Sequence, residues 1–118
     1  RIPDQAGFNF WIDMLNRSEV TGVTRDQFIL EVLRGVPDGS SDRAFLDNKV
    51  DIGAYFAVHR GMSDVNNASA SMALYDGSRA SIDQAMAAID SFYQEALDAN
   101  NGEFLMQVVG VLDNPFAV

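Results

Sequence analysis

The sequence predicts an all-α fold, a compact bundle of five to six helices in a single domain over residues 1–118. Three observations carry that prediction. Apolar residues recur at helical spacing in stretch after stretch. Short connectors bearing glycine or proline separate the stretches, and most stretches open on a residue able to cap a helix. With about 47% apolar residues in 118, the chain can bury a core without staples.

The first helix spans roughly Gln5 to Asn16. Asp4 is placed to cap its free N–H groups, and Pro3 discourages helix upstream. Phe8, Trp11, Ile12 and Leu15 make one apolar face, which Phe10 and Met14 widen, so packing on two sides is expected. Gly7 implies close backbone approach near the start. After a connector from Arg17 to Val23, Thr24 and Gln27 form a capping-box pattern for a second helix. Its buried face would be Phe28, Ile29, Val32 and Leu33, and Gly35 with Pro37 would end it.

A turn over 37–41 leads to the longest helix, about Asp42 to Arg60, capped by Ser41 or Asp42. Phe45, Lys49, Ile52, Phe56 and His59 line one stripe, and Leu46, Val50, Gly53 and Ala57 line the next. Gly61 is the stop signal. Asp64 caps a weaker segment, Val65 to Tyr75. Ser81 caps a clear helix from about Ile82 to Ala99, which Asn100-Asn101-Gly102 stops. The apolar tail from Glu103 to Leu112 reads as helix, although Val108, Val109 and Val111 suit a strand as well.

Charge narrows the function. Seventeen acidic residues face eight basic ones, and residues 80–118 carry six acids and no base. Such a chain repels phosphate backbones and anionic lipid, which argues against nucleic acid as a partner. No apolar run is long enough to enter and cross a membrane. The absence of cysteine excludes disulfides, thiolate catalysis and thiolate-bound zinc. Starting on Arg1-Ile2-Pro3 without methionine, the chain reads as a piece of something longer.

Little in it suggests catalysis. His59 is the only histidine, and a packed or dipole-capping role near a helix end explains it. There is no G-x-S-x-G elbow and no phosphate-cradling loop. Asp47 and Asp51 stand one turn apart with Lys49 between them, as on a solvated face. Asp38, Ser40 and Asp42 alternate in a glycine-bearing loop, the pattern of oxygen ligands in part of a calcium site, yet no bidentate glutamate follows at EF-hand spacing. Calcium is thus the only cofactor the sequence admits. The aromatics, Tyr75 and Phe116 apart, fit core faces better than a sugar platform.

The opening stretch, Arg1-Ile2-Pro3-Asp4-Gln5-Ala6-Gly7-Phe8-Asn9-Phe10-Trp11 with Leu15, resembles the R-x-P-D-x-x-G-x-x-[YF]-W motif of the bacterial family called domain of unknown function 4214. Thr24 to Leu33 looks like that family's next helix. Leu46 to Ala57, with Asn48, Lys49 and Gly53, is similar to its N-K-x-x-x-G-x-[YF]-[YF]-A stretch. The resemblance covers about residues 1–60, and residues 61–118 match no motif of the family. It implies an all-helical, non-catalytic domain of large secreted or cell-surface bacterial proteins, among them surface-layer and calcium-repeat adhesin-like ones. Arg1, Pro3, Asp4, Gly7, Trp11, Asn48, Lys49 and Gly53 would then be structural residues.

The function expected is therefore a structural or interaction module for attachment or assembly. Its partner would be a protein, a cell-surface glycan or a second copy of the chain. A carbohydrate- or calcium-binding module is the alternative, and a carboxylate-dependent hydrolase a more distant one.

Overall fold

The computed structural model of the chain describes residues 4–100, 102–106 and 108. Among these residues all regular structure is helical: α1 (Gln5–Asn16), α2 (Ser18–Thr21), α3 (Phe28–Arg34), α4 (Ser41–Ala54), a π-helix (Tyr55–His59), α5 (Val65–Ala73) and α6 (Arg79–Ala96). The chain divides into two units, Arg1–Ser40 and Ser41–Val118.

In the first unit, capping fixes where α1 begins. Asp4 is extended, and its carboxylate accepts a hydrogen bond from the Gly7 N–H at 2.7 Å. A Cβ on Gly7 would lie 3.3 Å from that same carboxylate oxygen, so the cap leaves little room for a larger residue. Arg17 ends the helix and pairs with Asp13 one turn back. The connector that follows holds a single turn, α2, closed by Gly22 in the left-handed region at φ +73°. The Thr21 hydroxyl then donates to the Met14 carbonyl at 2.8 Å, tying α2 to the end of α1.

The capping box expected at Thr24 does not form. The Thr24 hydroxyl bonds the Asp26 carboxylate instead, which holds that group below the usual carboxylate range together with its own backbone N–H. Residues 25–27 make a turn in which the Gln27 N–H donates to the Thr24 carbonyl, and α3 starts at Phe28 with no side-chain cap. Trp11 joins the helices: its indole meets the Phe28 ring edge-on at 5.6 Å, and Phe10 packs edge-on against it at 5.2 Å.

The second unit contains the core. Ile52, Tyr55, Phe56, Met62, Tyr75, Ile82, Ala85 and Ile89 bury one another, with Phe45, Met72, Phe92 and Leu105 packed around them. α6 supplies the continuous stripe, Ile82, Ala85 and Ile89, at the spacing the sequence shows. It starts three residues before the expected position. Ser78 accepts from the Ser81 N–H, while the buried Ser81 hydroxyl accepts from the Asp76 N–H and donates to the Ser78 carbonyl. Asp64 caps α5 as expected, accepting from the Asn67 N–H at 2.8 Å.

The long helix buries one stripe and not two. Val50 is 67% exposed and Ala57 is open to solvent, whereas Ile52 and Phe56 are buried as expected. Val50 stands before the π turn, on a side of α4 away from the buried Ile52. After Ala54 the chain widens into a π-helix, in which the Arg60 N–H reaches back to the Tyr55 carbonyl. Tyr55 and Phe56, three and four residues after Ile52, are buried with it. Gly61, left-handed at φ +65°, ends the segment, and the Met62 N–H donates to the Phe56 carbonyl.

The tail departs from the helix expected over Glu103 to Leu112. Residues 102–106 form no helix; Gln107 and 109–112 lie outside the described residues. Glu103 accepts from the Asp64 N–H at 3.1 Å, and the Met106 N–H donates to the Gly61 carbonyl at 2.9 Å. These bonds to the loop after the π-helix satisfy backbone groups that a helix would have paired internally.

Burial sets the stability ranking. Ile89 is fully enclosed, so Ile89→Ala is expected to cost about 2–5 kcal/mol. Val50→Ala is expected to stay within about 0.5 kcal/mol of the parent. Urea unfolding followed by circular dichroism checks both. Equal losses would show that the stripes are buried alike.

Candidate functional site

The loop singled out for calcium is ordinary turn chemistry. Gly39 adopts φ +75°, and the Ser40 hydroxyl donates to the Pro37 carbonyl at 2.7 Å. Asp38 is exposed, and Asp42 lies in the first turn of α4, where a carboxylate favours the helix N-terminus. Asp38 and Ser40 close the first unit and Asp42 belongs to the second. Among the described residues no group of three or more His, Cys, Asp or Glu side chains is placed to hold a metal ion.

Of the motif residues, Asp4, Gly7, Trp11, Asn48, Lys49 and Gly53 are described. Arg1 and Pro3 lie outside the described residues. Asp4 and Gly7 form the α1 cap, and Trp11 joins α1 to α3. The Lys49 ammonium sits over the Phe45 ring one turn earlier, 5.6 Å from its centre. Asn48 is half-buried on the same helix. A side chain on Gly53 would meet open space, because Gly53 borders a groove.

That groove, about 410 Å³, lies between α4, the π-helix and α5. Phe56, Ala57, Met62, Val65 and Met72 wall it, with Ser63 and Ser69 as polar points. Its lining contains no acid, base or histidine, so it offers no group for proton transfer.

A dense polar cluster among the described residues lies on other faces of the same elements, and the sequence does not reveal it. Arg60, just past the π-helix, donates to Asp90 Oδ1 of α6 at 2.7 Å and to the Tyr55 hydroxyl at 2.6 Å. Tyr55 in turn donates to Asp90 Oδ1 at 2.5 Å. The guanidinium stacks between the rings of Tyr55 and Tyr93, 5.0 and 4.8 Å from their centres. The Arg60 Nε and one terminal nitrogen and the Tyr55 hydroxyl all bond within the cluster, which reads as a clamp between the π-helix and α6. His59 stands next to it, its ring 6.0 Å from that of Tyr55 and its Nδ1 buried without a hydrogen-bond partner among the described residues. The only signal in the sequence was an arginine directly before a helix-ending glycine.

The first unit presents different chemistry. In α3, Phe28, Val32 and Gly35 share the side turned to Trp11, Glu31 and Arg34 form a polar side, and Ile29, Leu30 and Leu33 make a third side that is exposed. Ile29 is 73% exposed. α1 repeats the pattern. Its middle band, Trp11, Met14 and Leu15, is half-buried, while Phe8 and Ile12 on one flank and Phe10 on the other remain exposed. Val23 is the one side chain buried outright among the described residues of this unit. The sequence reading had placed Ile29 and Leu33 in a core; the structure leaves them uncovered, because Trp11 fills only one side of α3.

Comparison with protein-family models, with curated proteins and with solved structures returns no match for this chain.

Burial raises the Tyr55 phenol above its ordinary pKa; the bond to Asp90 acts in the same direction and the nearby Arg60 opposes it. The folded phenol therefore keeps its proton to higher pH than the unfolded one. It contributes stability below the ordinary tyrosine pKa of about 10 and loses it as pH rises further. Tyr55→Phe is expected to cost about 1–2 kcal/mol at neutral pH. Above pH ~10 the variant should lose stability less steeply than the parent. Urea melts from neutral to alkaline pH measure both slopes, and parallel slopes would remove Tyr55 as the titrating group.

Proposed function

We propose that this chain is a non-catalytic helical interaction module of a large secreted or cell-surface bacterial protein, acting in attachment or assembly. The observation that carries the interaction role is the uncovered apolar surface of α1 and α3. Phe8, Phe10, Ile12, Ile29, Leu30 and Leu33 are large apolar side chains at least 40% exposed within one forty-residue unit. Exposed apolar surface of this kind marks protein interaction sites more often than chance placement. The cell-surface context is supported by the resemblance of Arg1 to Trp11, and the acidic balance fits a soluble exported surface.

A non-catalytic role is supported by the kinds of residue available. The groove has no titratable lining, and the one concentrated polar cluster is bonded to itself. Among the described residues no helix is long and apolar enough to cross a membrane, which fits a partner met in solution or at a surface.

Hydroxyl-radical footprinting of the whole chain at low micromolar concentration tests the reading. Phe8, Phe10 and Ile29 are expected to label at rates close to those of the unfolded chain, and Ile89 at least tenfold more slowly. Protection of Ile29 comparable to Ile89 would overturn the interaction surface. Thermal melting with millimolar calcium chloride separates the alternative: an unchanged melting temperature is expected, and an upward shift lost in Asp38→Asn would assign a calcium module instead.

A further inference from the structure

We infer that the groove between α4, the π-helix and α5 is the seat of the chain's own C-terminal segment, residues 109–118, so that the groove is closed in cis. The inference concerns the second unit alone and is independent of the interaction reading above. Gly53 points to close contact at the groove wall. It stands inside α4, outside the left-handed region, and lines the groove. Glycine weakens a helix interior relative to alanine. Among the described residues nothing lies within 4 Å of where its Cβ would be, so no described neighbour requires a glycine there. Ala57, one turn on, and Ala68 of α5 are also small and line the same groove. Walls of this kind let another stretch of backbone approach the helices closely.

The described chain brings its own tail to this place. The loop after the π-helix leads into α5 and gives the groove Met62 and Ser63. Two bonds tie the tail to that loop: the Asp64 N–H donates to the Glu103 carboxylate at 3.1 Å, and the Met106 N–H donates to the Gly61 carbonyl at 2.9 Å. Leu105, between them, packs against the core. Ten residues of the sequence follow Val108, and ten residues fully extended reach about 33 Å. The nine residues of α5 rise only about 13 Å, so the segment is long enough to run beside the whole helix. The chemistry agrees. No charged side chain lines the groove, and residues 109–118 carry a single charged side chain, Asp113, beside Val109, Val111, Leu112, Phe116 and Val118. Seating the segment removes apolar surface from water on both sides. A segment tethered next to its site meets it at an effective concentration in the millimolar range, an advantage no free ligand of equal affinity has.

The test is hydroxyl-radical footprinting of the full chain at low micromolar concentration, with circular dichroism confirming that each variant keeps its helices. Val65 borders the groove and Val50 does not, yet both are exposed among the described residues; Phe104, 79% exposed, is the reference for Phe116. In the parent, Val65 is expected to label at least threefold more slowly than Val50, and Phe116 at least threefold more slowly than Phe104. Two substitutions undo the seating from opposite sides. Phe116→Lys is expected to raise the rate at Val65 to that of Val50. Gly53→Leu fills the groove from its wall and is expected to raise the rate at Phe116 to that of Phe104. Should Gly53→Leu disturb α4, Phe116→Lys keeps the inference falsifiable. Phe116 labelling as fast as Phe104 in the parent, or protection of Val65 unchanged by Phe116→Lys, overturns it. Protection that grows with protein concentration assigns the segment to the groove of a second copy and overturns it too. None of these outcomes bears on Ile29, whose labelling decides the interaction reading.

Discussion

The second unit depends on a single apolar stripe. Ile82, Ala85 and Ile89 recur along one side of α6, and every other core residue is placed to meet them. Ala85 matters as much as its larger neighbours, since a small residue at a fully buried position lets a facing helix approach closely. One stripe can cover only one side of each partner. That limit is why α4 turns Ile52 inward and leaves Val50 outside, although both are β-branched apolar residues two positions apart. It is also why the groove beside Phe56 is bounded by α5 on one flank and stays open among the described residues.

The long helix meets that stripe along one face. Ile52, Tyr55 and Phe56 stand at i, i+3 and i+4, the spacing of one helix face, and all three are buried. The π turn that starts at Tyr55 widens the helix beyond that face, where the Arg60 N–H reaches the Tyr55 carbonyl. The tyrosine hydroxyl then needs a partner, since a buried O–H without one is costly. Asp90 supplies the acceptor, and Arg60 balances the carboxylate while its plane stacks between Tyr55 and Tyr93. Backbone irregularity and polar cluster are therefore one device, and the cluster holds the irregular turn against α6.

Local chemistry in the sequence revealed much of this fold. Asp4 and Asp64 cap where they stand because an aspartate at a helix start has nearby N–H groups and no competitor. The stripes of α1 and α6 follow directly from spacing. Errors arose where two local solutions competed. Thr24 could cap α3 or bond Asp26, and the nearer carboxylate won. Ser81 and Ser78 could each start α6, and Ser78 prevailed because Ser81 completes the cap from inside the helix. The clamp was out of reach for another reason. Arg60 and Asp90 are thirty residues apart, and no periodic pattern encodes a pairing at that separation.

The first unit poses the converse problem. Its helices carry apolar residues on more than one side, but the two-sided packing expected of α1 is not found: Phe8, Phe10 and Ile12 are exposed, and only Val23 is fully buried among the unit's described residues. Forty residues with so little enclosed surface gain too little from burial to offset the entropy of ordering their backbone. Trp11 with Phe10 and Phe28 supplies one aromatic contact, Thr21 one tie between α1 and α2, and exposed pairs such as Arg17 with Asp13 add little. Covering Ile29, Leu30 and Leu33 would add to the stability of this unit, so occupation of that face and stability would be thermodynamically linked. For such a segment binding and folding are parts of one equilibrium. The apolar residues left exposed here are the ones that a partner would have to cover to hold it in place.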